Sequence, residues 1–146
     1  MLTERQIHII QESWKEVLPI SDQAGALFYE KLFELAPGVR ELFAKDINPQ
    51  ASKLMAMLNA VVNNLDALED IANDVGALGV RHDAYGATSE HYPVVGQALL
   101  ATLKEELQTK WNDELEVAWS DAYEIVSTIM VGKPVKIGRE KEFQEL

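Results

Sequence analysis

Apolar residues recur at steps of three and four along nearly the whole chain, the period of helices with one buried face. Ile7, Ile10, Trp14 and Val17 form the first stripe, behind a Thr3/Gln6 spacing that predicts a capping box. Pro19 and Ser21-Asp22 break and restart the chain. Leu27, Phe28, Leu32 and Leu35 mark a second helix, which Ala36-Pro37-Gly38 interrupts. Proline disfavours helix in the residue before it and suits the first turn of a new one. A short helical segment, Val39 to Phe43, is expected next, then a tight connection containing Asn48-Pro49. A longer helix begins near Gln50, striped by Leu54, Leu58, Val61 and Leu65. Another runs from about Leu68 to Tyr85, striped by Ile71, Val75, Leu78 and His82. Gly76 and Gly79 weaken it and permit close approach of another group.

Gly86 to His91 predicts a corner, followed by a helix carrying Val95, Leu99, Leu103 and Leu107. Asn112-Asp113 opens the last long helix, with Leu115, Ala118, Trp119, Ala122, Ile125, Val126 and Ile129 facing inward. Gly132-Lys133-Pro134 ends it. No strand-length alternation or internal repeat is present. The pattern predicts an all-α fold of about seven helices. One domain over 1–132 is expected, with a tail over 133–146 that is loose or a short surface helix.

Composition narrows the partners. A chain of 146 residues, 47 % hydrophobic, fits one globular domain. Cysteine is absent, which excludes disulfides, zinc–thiolate sites and iron–sulfur clusters and is compatible with a reducing cytosol. A net charge of −11 repels nucleic-acid phosphates and anionic lipid. No apolar run is long enough to span a bilayer. The start, Met1 to Arg5, leads into an amphipathic helix and lacks the apolar block of a signal peptide. These features predict a soluble cytoplasmic protein without nucleic-acid or membrane partners.

The candidate chemistry centres on His82, alone on an apolar helical stripe. Haem iron needs an axial nitrogen donor, an apolar slot for the macrocycle and a small polar group over the open face. His82 suits the first need, Phe43 and Leu54 the second, and Tyr29 with Gln50 the third. The residues alone leave plainer readings open. His82 also fits a core histidine bonded to a carbonyl. Phe43, Leu54, Val95 and Tyr29 fit ordinary core, and Gln50 a solvated helix start. Lys53 and Arg81 fit exposed helical charges, His91 a cap, and His8 a helix edge.

The ordered set Phe28-Tyr29, Pro37, Phe43, Gln50, Leu54, His82, Tyr92-Pro93 and Trp119 resembles the globin family. The stretch Ser89-Glu90-His91-Tyr92-Pro93-Val94-Val95-Gly96-Gln97-Ala98-Leu99-Leu100 is similar to bacterial single-domain globins and to flavohaemoglobin globin domains. Single-domain members with tyrosine, glutamine and leucine at the distal positions are similar too. The resemblance covers about residues 3–131. It implies a globin fold around haem b (iron protoporphyrin IX), with His82 as the proximal iron ligand. The second nitrogen of His82 would then donate to a backbone carbonyl one turn earlier, such as that of Leu78. Phe43 would pack flat on the porphyrin, with Leu54 on the distal and Val95 on the proximal side. Lys53, Arg81 and His91 become candidates to meet haem propionates.

By the same resemblance, Tyr29 and Gln50 are distal donors to bound O2, each bond contributing on the order of 1–3 kcal/mol. Tight O2 retention and conversion of nitric oxide (NO) to nitrate follow as the expected activity. Gln50 replaces a distal histidine, so a bis-histidine ferrous state is not expected. Tyr92 matches a proximal tyrosine, whereas the glutamate of the flavohaemoglobin proximal set falls at about Pro134. No flavin or nicotinamide domain is expected in this chain, so electrons would come from an external reductase. Storage or transport of O2, buffering of other diatomic ligands, nitrite reduction and a haem-based or apo sensor role are the alternatives. Oligomeric state is not legible.

Overall fold

The structure, a computed structural model, describes residues 2–84, 90–132 and 135–137. At Leu78, Val80 and 82–84 the backbone alone is described. Among the described residues there are six α-helices, short 3-10 segments and no strand. They are α1 (Glu4–Val17), α2 (Ser21–Leu35), α3 (Asn48–Asn63), α4 (Leu68–Ala84), α5 (His91–Leu107) and α6 (Asp113–Val131).

Local chemistry accounts for most boundaries. Gln6 N donates to Thr3 Oγ1 and Thr3 N to Gln6 Oε1, both at 3.0 Å, which is the expected capping box. Pro19 does not open a gap. It sits at the start of a 3-10 turn, Leu18–Ile20, which runs directly into α2. Asn112 caps α6 by accepting from Leu115 N at 2.8 Å. Gly132 closes that helix with φ 81, a left-handed conformation that glycine adopts without steric cost.

The segment after α2 is a 3-10 helix over Pro37–Leu42, and Phe43 lies just beyond it in extended conformation. α3 starts at Asn48, two residues ahead of Gln50. Its buried face is Ala51, Met55 and Val62, while Leu54, Leu58 and Val61 are only half-buried. The cause lies in α2. A Cβ on Gly25 would stand 3.2 Å from Ala51 Cβ, so the two helices cross closely there and draw Ala51 and Met55 into the contact. Leu35, expected on the inner face of α2, is 51 % exposed. Ile125, Val126 and Ile129 are half-buried in the second half of α6.

α2 packs on α3 and α5, α1 on α6, and α4 on α6. Gly79 of α4 meets α6 so tightly that a Cβ there would stand 2.1 Å from Met130 O. Gly76, the other glycine of α4, has no atom within 4 Å of its would-be Cβ. α3 and α4 are consecutive, joined through a 3-10 turn at Leu65–Ala67, yet they hardly touch among the described residues.

The core is centred on Ile10, Trp14, Leu32, Leu103 and Trp119. Both tryptophans satisfy their indole N–H. Trp119 Nε1 donates to Ser13 Oγ at 3.0 Å and Trp14 Nε1 to Asn59 Oδ1 at 2.9 Å. Val135 and Ile137 are also buried, so 135–137 are packed chain and not loose tail. The corner at 85–89, residues 133–134 and residues 138–146 lie outside the described residues.

Candidate cofactor site

An aromatic cluster gathers on α2 and the corner after it. Tyr29 is 4 % exposed. Its ring centroid lies 4.9 Å from that of Phe28, 5.9 Å from Phe33 and 5.4 Å from Phe43. Phe33 and Phe43 are 5.6 Å apart, edge to face. Such contacts fix ring orientation as well as burying area. Phe43 itself is only half-buried, so part of the ring remains available.

Arg40 holds Phe43 in place. Helical bonding ends at Leu42, so the carbonyls of the residues just beyond it need other partners. The Arg40 guanidinium supplies them, donating to Phe43 O at 3.2 Å, Ala44 O at 2.9 Å and Lys45 O at 2.8 Å. It also lies 5.1 Å from the centre of the Phe33 ring. Sequence reasoning missed Arg40. The available signal was an arginine near the end of a short segment, where a cation suits the exposed carbonyls.

Burial pushes the Tyr29 phenol up to about 12, and a side-chain hydrogen bond with Gln50 partly offsets this. A bond that favours the ionised phenol is one donated to its oxygen, which the Gln50 amide N–H can do. Tyr29 on α2 and Phe43 in the corner after it are in ring contact, and Gln50 in the first turn of α3 influences the phenol. The phenol stays protonated at physiological pH and remains a donor.

Leu54, one turn after Gln50, is half-buried. With Leu58, Trp14, Phe28, Leu99 and Leu103 it lines an apolar void of about 10 Å³, behind the aromatic cluster. Its lining has no unmet polar group to hold a water. Lys53 is exposed on α3 and Arg81 exposed on α4.

Tyr92 and Val95 are half-buried in the first two turns of α5, and His91 begins that helix. His82 lies in the last turn of α4, but its side chain and that of Leu78 are outside the described residues. Pro134 is outside them too. His8 is exposed on α1.

The residues suit a flat apolar group. Phe43, Leu54 and Val95 are large or branched apolar side chains left half-buried, and Tyr29 and Gln50 are neutral hydrogen-bonding groups.

The chain belongs to the globin family, whose profile matches residues 26–130. Neuroglobin-1 of Oncorhynchus mykiss is 29 % identical, across 96 % of this chain and 97 % of that protein. The flavohemoprotein of Bacillus subtilis is 30 % identical over 90 % of this chain, but the match spans only 34 % of that longer protein. Among solved structures, an engineered carbene transferase, based on a Rhodothermus marinus protein provisionally assigned as a nitric oxide dioxygenase, is similar at a TM-score of 0.81. It is 25 % identical, with 99 % of this chain and 96 % of that one covered. Globins hold haem and bind diatomic gases. Among the described residues no helix is long and apolar enough to cross a membrane.

Proposed function

We propose that this chain holds haem b between α3 and α4 through His82, retains O2 tightly under Tyr29 and Gln50, and converts NO to nitrate. The observation that carries the reading is the buried Tyr29 phenol packed against the half-buried Phe43 ring. Haem supplies an iron that changes oxidation state and takes diatomic gases.

The chain's own residues do the rest. The Gln50 amide donates to the Tyr29 oxygen, which leaves the Tyr29 O–H to donate to a ligand that gains negative charge. Donors chained in this way polarise one another. They are held before any ligand arrives, so little reorganisation is needed when charge develops. Phe43 and Leu54 exclude water and keep the local dielectric low, which strengthens both bonds. With haem bound, His82 would supply the imidazole nitrogen to iron, and the exposed Lys53 and Arg81 would offer cations to its propionates.

The net reaction joins NO, O2 and one electron to give nitrate. That electron comes from a separate reductase, and the cytoplasm, to which a cysteine-free chain is suited, supplies one. Stopped-flow mixing of the O2-loaded protein with NO tests the proposal. Fast reaction with stoichiometric nitrate is expected. Slow reaction or another product contradicts it, and rapid O2 release with no NO reaction indicates storage or transport instead.

A further inference from the structure

Among the described residues α4 is held from one side. It packs on α6 and on the Leu65–Ala67 turn before it, and hardly on α3. α6, by contrast, is braced on several sides. It packs on α1 and α5 as well as on α4. Trp119 Nε1 donates to Ser13 Oγ of α1, and the Tyr123 hydroxyl donates to the backbone carbonyl of Tyr92 on α5 at 2.5 Å. A strap, residues 135–137, is tied to the second half of α6. Val135 N donates to Thr128 Oγ1 at 3.2 Å and Ile137 N to Glu124 Oε1 at 2.9 Å. Ile137 is 2 % exposed, so the strap is firmly seated.

α4 and α6 meet backbone to backbone. A Cβ at Gly79 would stand 2.1 Å from Met130 O and 2.7 Å from both Met130 C and Met130 Cα. All three are main-chain atoms, which no change of rotamer can move aside. A real Cβ keeps at least about 3.0 Å from such neighbours, so a side chain at 79 must open the crossing by about 1 Å. The strap is tied at Thr128, two residues from Met130, and α6 has partners on its other sides. α4 has little else to push against, so α4 is the member that moves. His82 follows Gly79 by three residues within one continuous helix, and its backbone shifts with that of Gly79.

We infer that Gly79 is a positioning residue: its contact with the Met130 carbonyl sets where the last turn of α4, which carries His82, stands against the rest of the fold. The inference rests on the haem reading above, in which His82 holds iron. Gly79 acts through the helix backbone.

Resonance Raman spectroscopy of the ferrous, haem-loaded full chain, with hemin titration beside it, tests this. Gly79→Ala is expected to shift the iron–histidine stretching frequency and to weaken hemin binding by about tenfold or more, because a ligand displaced by about 1 Å loses its fit. Complete loss of uptake by a folded Gly79→Ala, with Val75→Ala still loading, is the extreme of the same effect. Gly76→Ala adds a Cβ to the same helix with no atom within 4 Å, and both readings are expected to stay at wild-type values. Val75→Ala empties a buried apolar site on α4 without forcing the backbones apart. It is expected to lower the melting temperature and leave the frequency in place, which separates displacement from loss of stability. Thr128→Val keeps the side-chain shape but strips Val135 N of its acceptor, so the brace beside Met130 slackens. A smaller shift is expected there, and this variant carries the test if Gly79→Ala does not fold. An unmoved frequency in Gly79→Ala, or in Thr128→Val where the former does not fold, overturns the inference, as does an equal shift in Gly76→Ala or Val75→Ala. A wild-type protein that takes up no hemin fails differently, by showing no Soret band, and removes the haem reading as well.

Discussion

Tyr29 carries two predictions. If its hydroxyl holds the gas ligand, Tyr29→Phe should speed O2 release by about 10- to 100-fold, the equivalent of one donor in a dry pocket. Flash photolysis or stopped-flow measures this, and Gln50→Leu should act in the same direction. The second prediction concerns pH. The folded chain holds the Tyr29 proton more tightly than the unfolded chain, with a pKa raised from 10.0 to about 12. Stability from this source is fully present below pH 10.0 and is lost as pH climbs through about 12, amounting to ~2–3 kcal/mol. Tyr123 adds to the fall with the same sign. Urea midpoints of the haem-free protein should therefore hold steady up to about pH 10.0 and then drop, less steeply in Tyr29→Phe. A midpoint indifferent to alkali contradicts the burial argument. At this scale the sequence was informative where residue type dictates chemistry. Tyr29 and Phe43 were picked out, and their rings lie 5.4 Å apart. Arg40 and Tyr123 were not, because each acts through backbone carbonyls, and which carbonyl a side chain reaches depends on tertiary packing.

The helices themselves were readable, because apolar steps of three and four and caps such as Thr3 and Asn112 are local signals. Their faces were less so. The Leu54-Leu58-Val61 edge does pack against the core, but the close crossing at Gly25 buries Ala51 and Met55 more fully. Nothing local to α3 encodes the position of Gly25. The two glycines of α4 make the same point and give a paired prediction. Gly79→Ala would drive a Cβ into the Met130 backbone, at 2.1 Å from its carbonyl oxygen, and should destabilise by about 3 kcal/mol. Gly76→Ala meets nothing within 4 Å and should stabilise by ~0.5–1 kcal/mol, through helix propensity alone. Denaturant titration of both variants checks the signs. The corner between α2 and α3 depends on a different device. Arg40→Ala strips three carbonyls of their donor and frees Phe43, so haem transfer to an acceptor protein should quicken by about tenfold. Arg40→Lys should not restore the wild-type rate, because a single ammonium lacks the planar fork that reaches all three.

For the molecule as a whole, α4 leans on α6 while α3 and α4 hardly touch among the described residues. Haem bound there would stabilise the folded chain by mass action, and the loaded protein should melt higher than the haem-free one. The 135–137 strap extends the packed unit past the 26–130 stretch that marks the family. Sequence reasoning treated it as tail because two apolar residues among charges show no period. The central claim is that His82 binds haem iron. Hemin titration followed by reduction, recorded as an absorption spectrum for wild type and His82→Ala side by side, tests it most directly. The account predicts stoichiometric uptake and a high-spin ferrous spectrum with a single protein ligand in wild type, lost in His82→Ala. A folded wild type that stays colourless, or a His82→Ala variant with an unchanged spectrum, would contradict it.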